Sequence, residues 1–221
     1  CAFMDEYDPN TVLSSIDRNA RYSYSNQPKI CQWNIARLAE SILPLIDRNL
    51  EKSVKLAEEK IFNFPDLYQA KWLDMMRSKF GLSGIQKEDE KLVNDLLEWM
   101  AEKRVDYTNT FRDLSSEKAL LKNVYQDNGF LSWRRRWEAR RLKNNQSRDA
   151  TTDIMRKMNP AIIPRNHNVE KALGSAEDMN FRPFHELLKM TRDPYSEREY
   201  PDAYCSLPQP DERVWQTFCG T

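Results

Sequence analysis

Apolar residues recur with the period of an α-helix along most of this 221-residue chain. From Ile35, for example, apolar residues follow at three, four, seven, eight and eleven positions, so that they share one helical face. The alternating pattern of β-strands is scarce, and the sequence contains only five glycines. These features predict a mainly α-helical fold.

The same pattern divides the chain into helices separated by proline or glycine. Pro44 is expected to kink the first helix or end it early, and Pro65 is expected to separate a second helix from a third. The third helix should stop at Gly81, because glycine readily adopts the left-handed conformation that follows helix ends. The predicted helical stretches lie near residues 35–46, 50–61, 68–80, 92–100, 107–114, 116–126, 130–144, 148–158, 168–175 and 183–191.

The residue types divide the chain into three parts. Residues 1–27 are polar and turn-prone, and we expect Tyr7, Tyr22 and Tyr24 to hold this segment on the core as an ordered loop. Residues 28–190 form the predicted helical domain. Residues 191–221 carry four prolines in a polar stretch without a sustained period, which predicts an irregular surface tail that ends with a cysteine-containing string.

The overall charge is balanced, with 34 basic and 34 acidic residues, so it favours neither nucleic acid nor an anionic membrane as a partner. No apolar run approaches the roughly 20 residues needed to cross a bilayer. The four cysteines are widely spaced and the two histidines complete no zinc set. We therefore expect a soluble, cytoplasmic protein without a structural metal.

Three short features have a chemical and a structural interpretation. The acidic run Asp5 to Asp8 could bind Mg²⁺ through its carboxylates or form a capped, solvated loop. His167 and His185 could act as general bases, but neither has an evident partner, and Asn166 or Asn168 is expected to cap the helix beside His167. Cys1 could be an amino-terminal nucleophile, although such enzymes are rich in strands, so the edge of a larger domain is the simpler explanation.

The most basic local stretch runs from Trp133 to Arg141. Its alternation of aromatic and basic residues is also found on surfaces that bind phosphate, protein or nucleic acid. Trp133 and Trp137 are four residues apart on one helical face, however, so both indoles should pack inward. We expect the arginines to pair with acidic residues of this chain or to remain in water.

Four strings of residues carry a resemblance to a known family: Cys1 to Pro9, Arg21 to Ala39, Asn159 to His167 and Thr217 to Thr221. The chain resembles the carboxyl-terminal half of the selenoprotein O family, also called YdiU. The resemblance implies a protein adenylyltransferase that uses ATP and Mg²⁺ to transfer AMP to Ser, Thr or Tyr hydroxyls of protein substrates. It also implies the helical carboxyl-terminal lobe of a kinase-like (pseudokinase) fold, with residues 1–27 similar to the start of an activation loop.

In that family, the residues that contact metal and triphosphate come early in the sequence. The last of them lies in an Asp-Tyr-Gly-Pro-like motif that would end just before Cys1. The resemblance therefore implies no catalytic, cofactor-binding or metal-binding residue in this chain, which we expect to be inactive alone and to bind neither ATP nor Mg²⁺. Its expected partners are the missing amino-terminal lobe and, at the same exposed interface, a second copy of the chain.

Cys219 is the one candidate redox residue, because it resembles a position that is selenocysteine in some family members. The resemblance implies a regulatory bond to a cysteine of the activation loop, but the corresponding position here is Leu13. Cys1 or Cys31 could replace it, and an inert exposed thiol remains an alternative. A competing functional class is a non-enzymatic helical interaction module that uses the surface from Trp133 to Arg141.

Overall fold

The computed structural model describes residues 2–217. Within this range the chain is mainly helical, as predicted, and its only β-pairing is an isolated antiparallel bridge between Glu6 and Asp106. Short 3₁₀ turns lie at Tyr24–Asn26, Ala119–Leu121 and Asn123–Gln126. The α-helices are α1 (Gln27–Ile46), α2 (Leu50–Lys79), α3 (Asp89–Lys103), α4 (Tyr107–Asp113), α5 (Asn128–Arg141), α6 (Arg148–Met158), α7 (Asn166–Glu177), α8 (Arg182–Thr191) and α9 (Asp202–Cys205). None of these helices combines the length and apolar character needed to cross a bilayer.

Helices α1 and α2 form an antiparallel hairpin with a short, side-chain-stabilised turn. Asn49 caps α2 by accepting a hydrogen bond from the backbone N–H of Lys52 at 3.0 Å. The buried Ser53 hydroxyl donates to the Leu43 carbonyl at 2.7 Å and accepts from the Asp47 N–H at 2.9 Å. These bonds satisfy backbone groups at the end of α1, which continues two residues past Pro44.

The prediction that Pro65 separates two helices is wrong, because α2 continues from Leu50 to Lys79 with Pro65 inside it. A proline lacks the N–H that would bond to the carbonyl four residues earlier, here that of Ile61. In the hairpin, the side-chain amide of Gln32 on α1 donates to the Ile61 carbonyl at 2.9 Å. The neighbouring helix thus supplies the hydrogen bond that the proline removes, and this tertiary contact supports a helix that the local sequence disfavours.

The predicted stop at Gly81 is confirmed. Helix α2 ends at Lys79, and Gly81 follows with φ of +63°, in the left-handed region. A Cβ atom at this position would lie 2.7 Å from the sulfur of Met155. Glycine is therefore needed here for its backbone conformation and for the close approach of α6.

The hydrophobic core lies between the end of α2, α3, α4 and α5. Trp133 and Trp137 on α5 are buried and stacked, with ring centroids 5.6 Å apart, as their spacing predicted. Each indole N–H has a backbone acceptor: Trp133 donates to Leu92 at 2.8 Å and Trp137 to Phe80 at 2.9 Å. These bonds satisfy the polar edge of each ring, so α5 is held in a defined orientation against α2 and α3.

The helix predicted over residues 116–126 is replaced by the two short 3₁₀ turns. Lys122 between them is extended, with ψ of 146°, and this interrupts any continuous helix. The buried ring of Tyr125 anchors the second turn in the core. The carboxyl-terminal tail is largely irregular, as expected, but it also contains the short helix α9.

Candidate functional site

The amino-terminal segment, residues 2–26, lies against the loop that leads into α4. The backbone N–H of Tyr7 donates to Val105 and that of Tyr107 donates to Asp5, both at 2.9 Å. The rings of Tyr7 and Tyr107 stack at 5.6 Å, and Tyr24 packs edge-on against both. Burial raises the pKa of Tyr7 to about 12, so its hydroxyl stays protonated at neutral pH.

Two of the three tyrosines predicted to hold this segment on the core therefore do so. Tyr7 is buried and Tyr24 is partly buried against the core, whereas Tyr22 is 45% exposed. The segment is thus an ordered element whose first residues have fixed positions relative to α4.

A buried arginine connects three distant parts of the chain, and we call this cluster the Arg165 clamp: Arg165, Asp5, Asp106 and the carbonyl of Cys205. Arg165 is only 1% exposed. Its two terminal nitrogens lie 2.6 Å from carboxylate oxygens of Asp5 and Asp106, and Nη2 also donates to the Cys205 carbonyl at 2.7 Å. The clamp thereby holds the amino-terminal segment, the start of α4 and the tail together.

Asp106 has a second role in the clamp, because it also caps α4. Its carboxylate accepts hydrogen bonds from the backbone N–H of Asn109 at 2.9 Å and from the Asn109 side chain at 2.8 Å. The same Asn109 amide donates to the Cys205 carbonyl at 2.9 Å. Burial nevertheless raises the pKa of Asp106, which shows how far this carboxylate is removed from water.

The predicted capping roles of Asn166 and Asn168 are wrong. The Asn166 side chain pairs with both backbone groups of Phe3, at 3.0 and 3.1 Å, and Asn168 donates to the Ala203 carbonyl at 3.1 Å. Neither amide caps α7, whose N-cap residue is Arg165. The first turn of α7 faces the amino-terminal segment and the tail, so these side chains bind other segments rather than their own helix.

The two histidines lie on different helices and in different surroundings. His167 is buried in the first turn of α7 with no hydrogen-bond partner for Nδ1, and burial lowers its pKa. His185 is exposed on α8 beside the ring of Phe184. The contacts given for these two side chains therefore include no nucleophilic group that either could activate as a general base.

The acidic run near the amino terminus does not form a metal site. Asp5 binds Arg165, Glu6 pairs with Arg104 at 3.2 Å, and Asp8 accepts from the backbone N–H of Asn10 at 2.8 Å. Across residues 2–217 no group of three or more His, Cys, Asp or Glu side chains is arranged to hold a metal ion. The solvated and ion-paired loop is therefore the better interpretation of this run.

The tail returns to the amino-terminal segment. Thr217, the last described residue, accepts a bond from the Ser15 N–H at 2.7 Å, and its hydroxyl donates to the Leu13 carbonyl at 3.0 Å. A cleft of about 340 Å³ lies between segment and tail and includes Phe3 and Trp215 in its lining. The sequence did not predict this contact between the tail and the amino-terminal segment, because backbone pairing between residues about 200 positions apart leaves no local pattern.

The cysteine predictions can be followed only in part. Cys1 and Cys219 lie outside the described residues, so the proposed redox role of Cys219 stays a prediction. Cys31 is exposed on α1, and Cys205 is partly buried at the end of α9, where burial raises the pKa of its thiol. Leu13, which the resemblance places at the position of an activation-loop cysteine, accepts a hydrogen bond from the Thr217 hydroxyl through its carbonyl.

The basic stretch on α5 is largely neutralised within the chain. Arg134 binds Glu138 and Glu117 at 2.8 and 2.7 Å, and Arg136 binds Asp95 at 2.5 Å. Arg140 is buried against Asp89, and Arg135 is exposed. With both indoles in the core and most guanidinium groups paired, this surface offers little unpaired charge to an interaction partner.

Lys79, at the end of α2, is a partly buried cation that sequence reasoning did not single out. Its ammonium donates to the side-chain carbonyl of Asn159 at 3.0 Å and lies 4.8 Å from the ring centroid of Phe111. Burial lowers its pKa from the ordinary 10.5 to about 8. Folding therefore works against the charged form of this side chain.

Replacing Lys79 by methionine should raise the free energy of unfolding by about 1–3 kcal/mol at pH 7, because methionine keeps the apolar stem and removes the buried charge. A lowered lysine pKa destabilises the fold fully below about pH 8, and the penalty disappears as the pH rises to 10.5. The difference between the two proteins should shrink over this range in urea unfolding curves. Lys71→Met, an exposed position on the same helix, is the matched control. An equal or lower stability of Lys79→Met would contradict the prediction.

The chain is similar to known proteins along its whole length. Three relatives share the name protein nucleotidyltransferase YdiU. The protein of Nitrosococcus oceani is 50% identical over the whole chain, that of Alcanivorax borkumensis 46% and that of Pelagibacter ubique 44%. The family model described as protein adenylyltransferase SelO matches residues 1–192. The chain belongs to the SelO/YdiU family, and it spans 45–46% of the length of these three relatives.

Proposed function

We propose that this chain is the carboxyl-terminal portion of a protein adenylyltransferase. In the reaction, a Ser, Thr or Tyr hydroxyl of a substrate protein attacks the α-phosphorus of ATP, which forms a phosphodiester to AMP and releases pyrophosphate. The observation that carries the proposal is the family match over residues 1–192, together with identities of 44–50% to nucleotidyltransferases over the whole chain. The free thiols of Cys31 and Cys205 fit a reducing cytoplasm as the place of action.

The acidic run of the amino-terminal segment would be a poor site for Mg²⁺ and for the ATP that Mg²⁺ accompanies. A divalent cation of this kind needs several free oxygen ligands, and Asp5, Glu6 and Asp8 are already engaged with cations or a backbone N–H. We therefore assign both groups to the part of the longer relatives that this chain does not cover. The described portion would serve as a scaffold with the helical architecture of a kinase-like carboxyl-terminal lobe.

The contribution of this portion to function would be to position the amino-terminal segment. The Arg165 clamp and the Asn166 side chain hold residues 3 and 5, while the tail holds residues 13 and 15. A segment held at both places can form one wall of a docking site, and the adjacent cleft beside Trp215 would receive part of the substrate protein.

The missing portion would also cover apolar surface of this segment. Phe3 is 37% exposed, Val12 40% and Ile16 54%. Such side chains favour contact with another protein surface, which here would be the remaining lobe or, without it, a second copy of the chain. In a longer protein that includes the missing lobe, these three positions should be less accessible to solvent than in the 221-residue chain.

The test compares the 221-residue chain with the complete protein of its reading frame. With ATP labelled at the α-phosphate, the complete protein should label Ser, Thr or Tyr of a substrate protein, and the chain alone should not. With ATP labelled at the γ-phosphate, neither protein should transfer label, which separates AMP transfer from phosphate transfer. Robust turnover by the 221-residue chain, or transfer of the γ-label, would contradict the proposal.

A further inference from the structure

A cavity of about 270 Å³, open to solvent on one side, lies behind the first residues of the amino-terminal segment, between the end of α2 and α4. Its walls are mostly apolar, and Phe3, Met4, Tyr24, Phe111 and Ile163 contribute to them. Lys79 is the one Lys, Arg, Asp or Glu side chain in the lining. The cavity therefore combines an apolar interior with a single basic group.

No Asp or Glu side chain among residues 2–217 lies within 4.0 Å of the Lys79 ammonium. Its hydrogen bond to the Asn159 side chain uses one of three donor positions. The rings of Phe111 and Tyr107, at 4.8 and 5.9 Å, stabilise the cation but accept no strong hydrogen bond. The remaining donors, together with the burial of the ammonium, create a place where an anion would be stabilised.

We propose that this cavity binds a small monocarboxylate with an apolar body, of the size of benzoate or hexanoate. One negative charge balances one ammonium, whereas a phosphate dianion would carry an unpaired charge into an apolar cavity. A water molecule occupies roughly 30 Å³ in the liquid, so the cavity has the volume of about nine water molecules. This space would hold an acid of about nine heavy atoms. The site is distinct from the proposed AMP transfer and does not depend on it.

Binding should be linked to the protonation of Lys79. A bound carboxylate favours the charged ammonium, so its affinity should be constant from pH 6 to about pH 7.5 and should fall as the pH rises through the pKa of about 8. Well above that pKa the expected loss approaches tenfold for each pH unit. Burial is the dominant cause of the lowered pKa, and the phenols of Tyr24 and Tyr107 are the other ionisable groups of the lining.

The experiment measures binding of benzoate and hexanoate to the 221-residue chain by calorimetry at pH 7, with benzamide and hexanamide as neutral isosteres. The acids should bind at least tenfold more tightly than the amides, and inorganic phosphate should not compete. Lys79→Met should abolish the preference for the acids, whereas Lys71→Met should retain it. The urea unfolding curves proposed above test independently whether Lys79→Met is folded.

Besides competition by phosphate, three results would overturn the proposal. They are equal affinity for acids and amides, an acid affinity unchanged in Lys79→Met, and an acid affinity that stays constant from pH 7 to pH 10. The last measurement uses the unaltered chain, so it remains decisive even if the variant does not fold. Competition by phosphate would indicate a general anion site and would also reject the monocarboxylate.

Discussion

Replacing Arg165 by methionine is expected to lower the free energy of unfolding by about 3–5 kcal/mol. Methionine fills much of the apolar volume of the arginine stem but leaves the carboxylate of Asp106, a residue only 9% exposed, without its cation. The Cys205 carbonyl also loses a donor, although Asn109 continues to bind it. The loss should be large because removing one partner leaves the other charge buried, which costs more than the pair itself contributes.

Chemical denaturation with urea measures this change, and Arg182→Met provides the matched control. Arg182 is an exposed residue on α8 that pairs with Glu186, and its replacement should alter stability by no more than about 0.5 kcal/mol. The double variant Arg165→Met/Asp106→Asn should recover part of the lost stability, because the buried negative charge is then removed. A loss below about 1 kcal/mol for Arg165→Met would mean that the clamp is not a buried ion pair in solution.

The same variant distinguishes a local from a global effect of the clamp. Under conditions in which it remains folded, amide hydrogen exchange should accelerate at residues 3–15 and in the tail more than in α3 or α5, because the clamp joins the first two regions. If a longer protein has the proposed AMP-transfer activity, that activity should decrease with the order of this segment. Unchanged exchange at residues 3–15 would show that the segment is held mainly by its tyrosines.

Replacing Asp89 by asparagine should also have a large effect and lower the free energy of unfolding by about 3–5 kcal/mol. Asp89 is fully buried, and its carboxylate lies 2.7 Å from Nε of Arg77 and 2.6 Å from Nε of Arg140. Both arginines are themselves less than one-tenth exposed. Asparagine has nearly the same shape but carries no charge. Arg140 would lose its one carboxylate partner among the described residues, and Arg77 would keep only the exposed Asp74, at the junction of α2, α3 and α5.

The pH dependence of this change follows from the sign of the pKa shift. Burial alone would raise the pKa of Asp89, but hydrogen bonds from Arg140, the Gln86 N–H and Arg77 together lower it below 3.8. A lowered carboxyl pKa stabilises the fold above the unfolded-state value of about 3.9, and this stability is lost as the pH falls through the folded-state value. The difference between wild type and Asp89→Asn should therefore decrease below about pH 4.

Asp66→Asn, an exposed position on α2, is the control for Asp89→Asn and should change stability by no more than about 0.5 kcal/mol. Urea unfolding of wild type and both variants at pH 7 and at pH 3 gives the six free energies required. A difference between wild type and Asp89→Asn that persists undiminished at pH 3 would point to packing rather than charge as the source of the effect.

Much of the helical architecture could be predicted because it depends on interactions within a few residues. The period of apolar side chains predicted the main helices, and the left-handed preference of glycine predicted the end of α2 at Gly81. The spacing of Trp133 and Trp137 was enough to predict that both indoles face the core. The strings shared with the SelO/YdiU family were likewise readable without coordinates, and the family assignment is confirmed.

The predictions from sequence were wrong where a group distant in the chain overrode the structural preference of a single residue. Pro65 should break a helix by its own chemistry, but Gln32 from α1 satisfies the carbonyl that it leaves free. Asparagine commonly caps helices, but the side-chain amides of Asn166 and Asn168 donate to the backbone carbonyls of Phe3 and Ala203 instead. In each case the deciding partner is at least 30 residues away or belongs to another helix, so no pattern in the local sequence could reveal it.

The sequence by itself determined the helical class, the positions of most helices and the family, because these depend on local periodicity, backbone preference and residue identity. Only the tertiary structure decided that Arg165 joins the amino-terminal segment to the tail, and that Lys79 lies against an apolar cavity without a carboxylate partner in the described chain. The physical reason is that burial and charge pairing are properties of the surroundings of a side chain. Those surroundings are created by residues up to 160 positions away, and they exist only when the chain is folded.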